Sequence, residues 1–560
     1  MNNLVIFLIL IPLVASSFSL LNRYFPRLRI AEAASFGALI LCLIFLGLLF
    51  QPLLKQKVIN YPVGGWQEPL GNKLYMDGLA WGSSLMGMTI ALLALIFAWG
   101  EKKYRYNFYF FFLILIAGME GVILTGDLFN MFVFFEILSI ASYILIAYSR
   151  ERKSILASFN YLLISSLGMG FFLLAIFLLY QQTGILSLRE IAYLQLQTKG
   201  NLPVFNLAII SLIVGIGVKA AFIPLHTWLP DAHAFAPHPV SAILSGVMIK
   251  VSFLSIWRIL RLFQAIKTQQ IFLWIGAITA FMAVIWAIAQ DDSKKLLAYH
   301  SISQMGFIIA SFGVATSLSL AASFYHLLNH SLFKSLLFLS IGCVICSMEE
   351  RDIQKLSGLG RKMPFVFLAF MVGALSICGI PPFNGYVSKN LISLSLKEHP
   401  LAYYLIFLAS IGTVASFTKL SQIFRKDRAK RKNQGKEEAS ASRLHQKKLS
   451  RGMLIPLGIL SILCILTGIL PHLWTAAISK LITGEKLRLI PVVYSLSSLT
   501  NSVFILGLGF ALYLGIRSSL GQRILKYIRG LKLGLNNSLF LLVGGFLFLI
   551  FLGWIMEKGL

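Results

Sequence analysis

Charge is scarce in this chain, and negative charge scarcer still. Of 560 residues only 12% are Asp, Glu, Lys or Arg, and the 21 acidic residues face 49 basic ones. A soluble protein of this length needs far more polar surface to cover its cores. Cysteine is rare as well. Cys42, Cys343, Cys346, Cys378 and Cys464 lie in or beside apolar runs, which argues against a disulfide framework. Cys343 and Cys346 form a C-x-x-C inside a Leu/Ile-rich stretch with no second pair, so they read as small packing residues rather than a metal or redox site. Iron–sulfur ligands, a nucleotide loop and a flavin fingerprint are all missing from the sequence, so no redox cofactor is expected on this chain.

What is present is apolar surface in long runs. The chain is 58% hydrophobic with a mean hydropathy of +0.81. A membrane span needs about 20 apolar residues. Fourteen such runs lie between residues 3 and 472, among them 204–229, 296–316 and 364–395, and two more follow near 495–516 and 536–556. The first run lacks a basic leader region and a small-residue cleavage site, so it reads as a retained span. A formal net charge of +28 suggests nucleic acid until the positions are read. The basic residues fall in short loops between spans and mostly on alternate loops, which is how a membrane protein records its orientation. By that pattern both termini face outward, and the protein sits in the inner (plasma) membrane as a multi-pass chain. The one long polar insertion, 425–451, reads as a solvated cytoplasmic loop, with binding to anionic lipid or to a partner subunit as the alternative. Residues 182–203 are too polar to span.

The informative residues are charges inside apolar runs, where each costs at least ~2.5 kcal/mol and needs a partner or a wet cavity. They are Glu136, Lys219, Lys250, His326, His330, Lys334 and Lys389, with Lys419 near a helix end. Glu136 lies in GDLFNMFVFFEILSIASY, where burial and a nearby lysine act on its proton in opposite senses. That antagonism suits a switchable proton site, and a static Glu–Lys bridge is the alternative. Asp127, at the start of the same run, reads as a helix N-cap. Lys219 precedes Pro224, and Lys389 follows Pro381 and Pro382, so each lies beside a prolyl break of the kind that exposes backbone in ion transporters. Lys250 sits mid-span and extends the path. His326 and His330 are four apart on one helical face, and Lys334 continues it. Two such histidines can ligate a metal, but no Glu-x-x-His or cysteine cluster completes a site, so the stripe reads as a proton relay. The likeness of AFIPLHTWL to CGIPPFNGY hints at an internal repeat.

Five blocks carry a family likeness: TGDLFNMFVFFE, VKAAFIPLHTWLPDAHAFAPHPVSA, HSISQMGFIIA, HLLNHSLFKSLLFL and GIPPFNGYVSK. Together they resemble the antiporter-like subunits of respiratory complex I and of the multisubunit Na⁺/H⁺ antiporters. YPVGGWQEPLGNKLYMDGLAW favours the branch of the antiporters' D-type subunit and its membrane-bound hydrogenase-type equivalents. The likeness covers roughly residues 60–425. It implies an all-α polytopic fold, a fourteen-helix core of two inverted five-helix repeats with discontinuous helices, plus about two extra C-terminal helices. The implied divisions are N-terminal helices over 1–106, repeats over 107–264 and 271–424, a basic cytoplasmic loop over 425–452, and C-terminal helices over 453–560. It also implies that Glu136 and Lys219 are a working pair, Lys250 a connecting lysine, His326, His330 and Lys334 a central axis, and Lys389 the lysine of the second broken helix.

The expected function is proton translocation, with Na⁺/H⁺ antiport as a variant, by one membrane subunit among several. Its partners are other membrane subunits and the lipid bilayer, with no nucleic acid, no metal and no catalytic residue of its own. The alternative is a membrane subunit of a redox complex with a quinone-binding or purely structural role.

Overall fold

The computed structural model describes residues 3–66, 71–198, 202–262, 266–425, 447–483, 494–531 and 534–558. Apolar composition forces helix here, because a chain in lipid must satisfy its backbone groups internally. The helices of the first half are α1 (Leu4–Leu20), α2 (Ile30–Gln56), α3 (Gly78–Glu101), α4 (Tyr106–Leu124), α5 (Leu128–Ile146), α6 (Arg152–Thr183), α7 (Leu188–Thr198), α8 (Leu202–Ala220), α9 (Leu229–Phe235), α10 (His238–Ile243) and α11 (Ile249–Leu262). Between α2 and α3 an antiparallel hairpin pairs β1 (Val58–Pro62) with β2 (Lys73–Asp77), in a register that sets Val58 opposite Asp77.

The second half comprises α12 (Ile266–Ala289), α13 (Ser293–Gly313), α14 (Ser317–Met348), α15 (Leu359–Lys362), α16 (Pro364–Cys378), α17 (Asn384–Ser395), α18 (Pro400–Ser421), α19 (Arg451–Ile469), α20 (Pro471–Thr483), α21 (Leu496–Arg517), α22 (Ser519–Gly530) and α23 (Leu535–Lys558). The chain forms two compact units. One holds residues 1–95, 104–271 and 533–560, and the other holds 96–103 and 272–532.

Among the described residues thirteen helices are long and apolar enough to cross a membrane, or fourteen if Ser519–Gly530 and Leu535–Phe548 count as one span. The sequence suggested sixteen. The two remaining runs are helical but do not meet the same test, for physical reasons. The helix α13 carries Lys294, Lys295, His300, Ser301, Ser303 and Gln304 in a single element. The run 364–395 is divided into a fifteen-residue and a twelve-residue helix by the Pro381–Pro382 break. Large apolar side chains such as Leu156, Phe177, Leu368, Leu401 and Ile462 are exposed on the spanning helices, as lipid-facing residues are.

Asp127 caps α5 as expected, its Oδ1 accepting the Asn130 N–H at 2.8 Å. Residues 188–198 form α7, too short to span, whose Leu188 N–H donates to the Gly126 carbonyl at 3.0 Å. Most of the basic insertion, 426–446, lies outside the described residues. Its end is tied down: Lys447 donates to Glu349 Oε1 at 2.5 Å, and Ser450 Oγ donates to the Gly100 carbonyl at 2.8 Å. The Glu349 partner raises the Lys447 pKa above its ordinary value.

Lys419 is not a loose helix-end lysine. Its ammonium donates to Asp291 Oδ1 at 2.9 Å and to the carbonyls of Ile288 and Gln290, while Arg529 of α22 takes the other Asp291 oxygen. Leu525 buries against Ile288 and Ala289 beside this triad. Asp291→Asn should weaken the attachment by about 1.5–3 kcal/mol, the range for hydrogen bonds to charged groups. Hydrogen exchange should then quicken in the α22 amides and leave α14 unchanged.

Candidate functional site

In the first unit the polar groups gather where α8 ends. A proline ring at position 224 would clash with the carbonyl of residue 220 in a continuing helix. The helix accordingly stops at Ala220, and Ala221 turns to φ 56°. Lys219 is thus the penultimate residue of its helix, closer to the end than its place before Pro224 suggested, and a cation there suits the helix dipole. Trp228, after the break, donates from Nε1 to the Val218 carbonyl at 2.7 Å and holds the turn against the helix it leaves.

The Lys219 ammonium is buried and donates to two hydroxyls, Ser139 Oγ on α5 and Ser165 Oγ on α6. The rings of Tyr161 and Tyr143 lie under it, at 5.4 and 5.9 Å from their centroids, and Trp228 stacks on Tyr161 at 3.8 Å. Glu136 is close enough to act electrostatically on Lys219, yet among the described residues the two form no direct ion pair. Instead Ser139, one turn along α5 from Glu136, takes the ammonium. The static Glu–Lys bridge is therefore not what this structure contains. Glu136 Oε1 is a buried atom with no hydrogen-bond partner among the described residues.

Lys250 is buried and lies mid-span, between a π-helical turn over Leu244–Met248 and the rest of α11. Its ammonium turns back on its own helix and donates to the Ser245 carbonyl inside that turn. Single π turns recur at functional sites because they re-aim backbone groups. Met248, the last residue of the turn, receives Ser142 Oγ at 3.5 Å and the Tyr161 hydroxyl at 3.8 Å.

In the second unit the row runs along α14. His326, His330 and Lys334 are fully buried, and the two imidazoles stack with centroids 6.2 Å apart. His326 Nδ1 pairs with Ser388 Oγ at 2.8 Å and Nε2 with Gln304 Oε1 at 3.1 Å. Lys334 Nζ donates to the Leu297 carbonyl at 2.5 Å. Lys389, on α17, sits over the Phe307 ring at 4.7 Å and has no hydrogen-bond partner among the described residues. The second break is clamped by its neighbours: Asn329 Nδ2 donates to the Asn384 carbonyl at 3.1 Å, and Tyr325 donates to the Thr467 carbonyl.

The structure thus brings Lys219 near Glu136 in one unit, and groups His326, His330, Lys334 and Lys389 in the other. It adds Ser139, Ser165, Gln304, Ser388 and His300, which charge-counting passes over because neutral polar residues are unremarkable in apolar helices. For Ser139 a signal existed in its spacing, one turn from Glu136. Chemically, each set is a run of groups that can gain and lose protons or relay them through hydroxyls. Cys346, half of the C-x-x-C, donates its thiol to Glu101 Oε1 at 3.0 Å, and all five cysteines are free.

Comparison with known proteins agrees with this architecture. The N-type subunit of the NADH-quinone oxidoreductase of Desulforudis audaxviator is 37% identical over 360 residues, 62% of this chain and 72% of that protein. The D-type subunit of the Na(+)/H(+) antiporter of Alkalihalophilus pseudofirmus is 31% identical over 434 residues, 75% of this chain and 86% of that one. A chain of the membrane-bound sulfane sulfur reductase, an archaeal respiratory membrane complex, superposes with a TM-score of 0.78 at 26% identity, covering 91% of this chain and all of that chain. The model of one family matches residues 125–418, and this multi-pass membrane chain belongs to it: NADH:quinone oxidoreductase/Mrp antiporter, TM.

Proposed function

We propose that this chain is a proton-translocating membrane subunit of an Mrp antiporter-like or complex I-like assembly, moving protons through Glu136, Lys219, Lys250, His326, His330, Lys334 and Lys389. The observation that carries the reading is the burial of Lys219, Lys250 and Lys389 with neutral groups as their direct contacts among the described residues: two serine hydroxyls hold the first, a backbone carbonyl the second, and an aromatic ring lies under the third. A buried ammonium with no carboxylate hydrogen-bonded to it is expensive to keep charged. Relatives named as subunits of antiporters and oxidoreductases support membrane partners that supply the driving energy. The two inverted repeats, over 107–264 and 271–424, belong to this reading, each with its own Pro-broken helix at Pro224 or at Pro381 and Pro382.

The test is proton movement in sealed vesicles carrying the assembled complex. Glu136→Ala and Lys389→Met should each slow it about 100-fold, the lower end of what one positioned proton-transfer group contributes. Wild-type rates in both variants would remove the reading.

A further inference from the structure

His300 is a buried imidazole outside the set of proton carriers just named. It is fully buried in α13, its ring packs on Phe417 of α18 at 5.0 Å between centroids, and neither ring nitrogen has a hydrogen-bond partner among the described residues. Buried polar atoms are almost always satisfied, so a ring left with both nitrogens open calls for a reason.

Its place on the helix supplies one. Leu297, His300, Gln304 and Phe307 fall at steps of three, four and three, which puts all four on one face of α13. Every other position on that face meets a titratable side chain. The Leu297 carbonyl accepts Lys334 Nζ at 2.5 Å, Gln304 Oε1 pairs with His326 Nε2 at 3.1 Å, and Lys389 Nζ lies 4.7 Å from the Phe307 ring centroid. Leu297 and Phe307 are ten residues apart, about 15 Å along the axis. His300 lies between them and feels the charge of both Lys334 and Lys389.

We propose that His300 is a proton carrier between Lys334 and Lys389, reached from both along one face of α13. In each hop one N–H bond breaks as another forms. A proton leaving the Lys334 ammonium is taken up on one ring nitrogen of His300, and the imidazolium releases the proton on its other nitrogen toward the Lys389 amine, each transfer passing through a bridging water because no direct hydrogen bond joins the groups. The reverse sequence carries protons the other way. This role rests on the proton-moving function proposed for the chain and adds a residue to it.

The experiment uses vesicles carrying the assembled complex, with Lys219→Ala as a reference for the function itself. His300→Phe keeps the packing on Phe417 and removes the proton carrier. His300→Gln keeps polarity without a titratable ring. Both should slow proton movement about 100-fold while the complex still assembles. Wild-type rates in the His300 variants alongside a slow Lys219→Ala overturn the His300 assignment alone. Wild-type rates in all three overturn the function beneath it. If His300→Phe fails to assemble, the rate of His300→Gln decides by the same criterion.

Discussion

Lys219→Ala should nearly abolish proton movement by the assembled complex, a fall of about 100-fold or more, the lower end of what a positioned acid–base group contributes. Loss of folding will not explain the result. Ser139 keeps its own bond to the Phe135 carbonyl when the lysine is gone, and the Tyr161–Trp228 stack does not depend on the ammonium. What disappears is the one titratable group between the hydroxyls of α5 and α6. Lys219→Arg separates charge from titration. Arginine keeps the positive charge but does not give up a proton in proteins, so it should be nearly as inactive as alanine. An active arginine variant would mean that Lys219 serves only as a fixed charge. The measurement is the initial rate of the vesicle pH change, normalised to the amount of complex recovered.

The second large effect falls on the fold. At Gly385 a Cβ would lie 1.8 Å from the Ser376 carbonyl oxygen, a backbone atom that cannot rotate aside. The start of α17 therefore touches the last turn of α16 backbone to backbone, on either side of the Pro381–Pro382 break. Gly385→Ala should cost about 3 kcal/mol or more, because the two segments must separate to admit a methyl group. Separation moves α17 as a body, and α17 carries both Ser388, the partner of His326 Nδ1, and Lys389. The variant should give much less intact complex on extraction, and the fraction that assembles should be slow in transport. Full recovery with a wild-type rate would contradict a backbone contact this close.

Much of this was legible in the sequence, for one physical reason: a charge in an apolar run is costly enough to be noticed. Glu136, Lys219, Lys250, His326, His330, Lys334 and Lys389 stood out on that ground, and six of these seven side chains are buried, Glu136 being half-buried. Pro224 and Pro381 announced their breaks, although the first helix stops four residues before its proline. Less was legible where the deciding feature is neutral. The π turn at Leu244–Met248 is written in LSGVM, which carries no marker. Ser139 and Ser165 are two serines among many, and only the fold shows that they receive the Lys219 ammonium. His300 sat in full view beside Ser301, but its meaning depends on which side chains reach α13 from other helices. The run read near 296–316 is helical as expected, as α13, although its polar residues keep it from passing as a span on composition.

In the proposed mechanism Glu136 and Lys219 act as one proton-handling unit through Ser139, and not as two independent charges. Groups that act together lose function together, so their effects are not additive. The decisive measurement is the proton-translocation rate of the complex with Glu136→Ala, with Lys219→Ala and with both. A double variant no slower than Lys219→Ala alone is the predicted result. A wild-type rate in either single variant, or losses that multiply in the double, would contradict it.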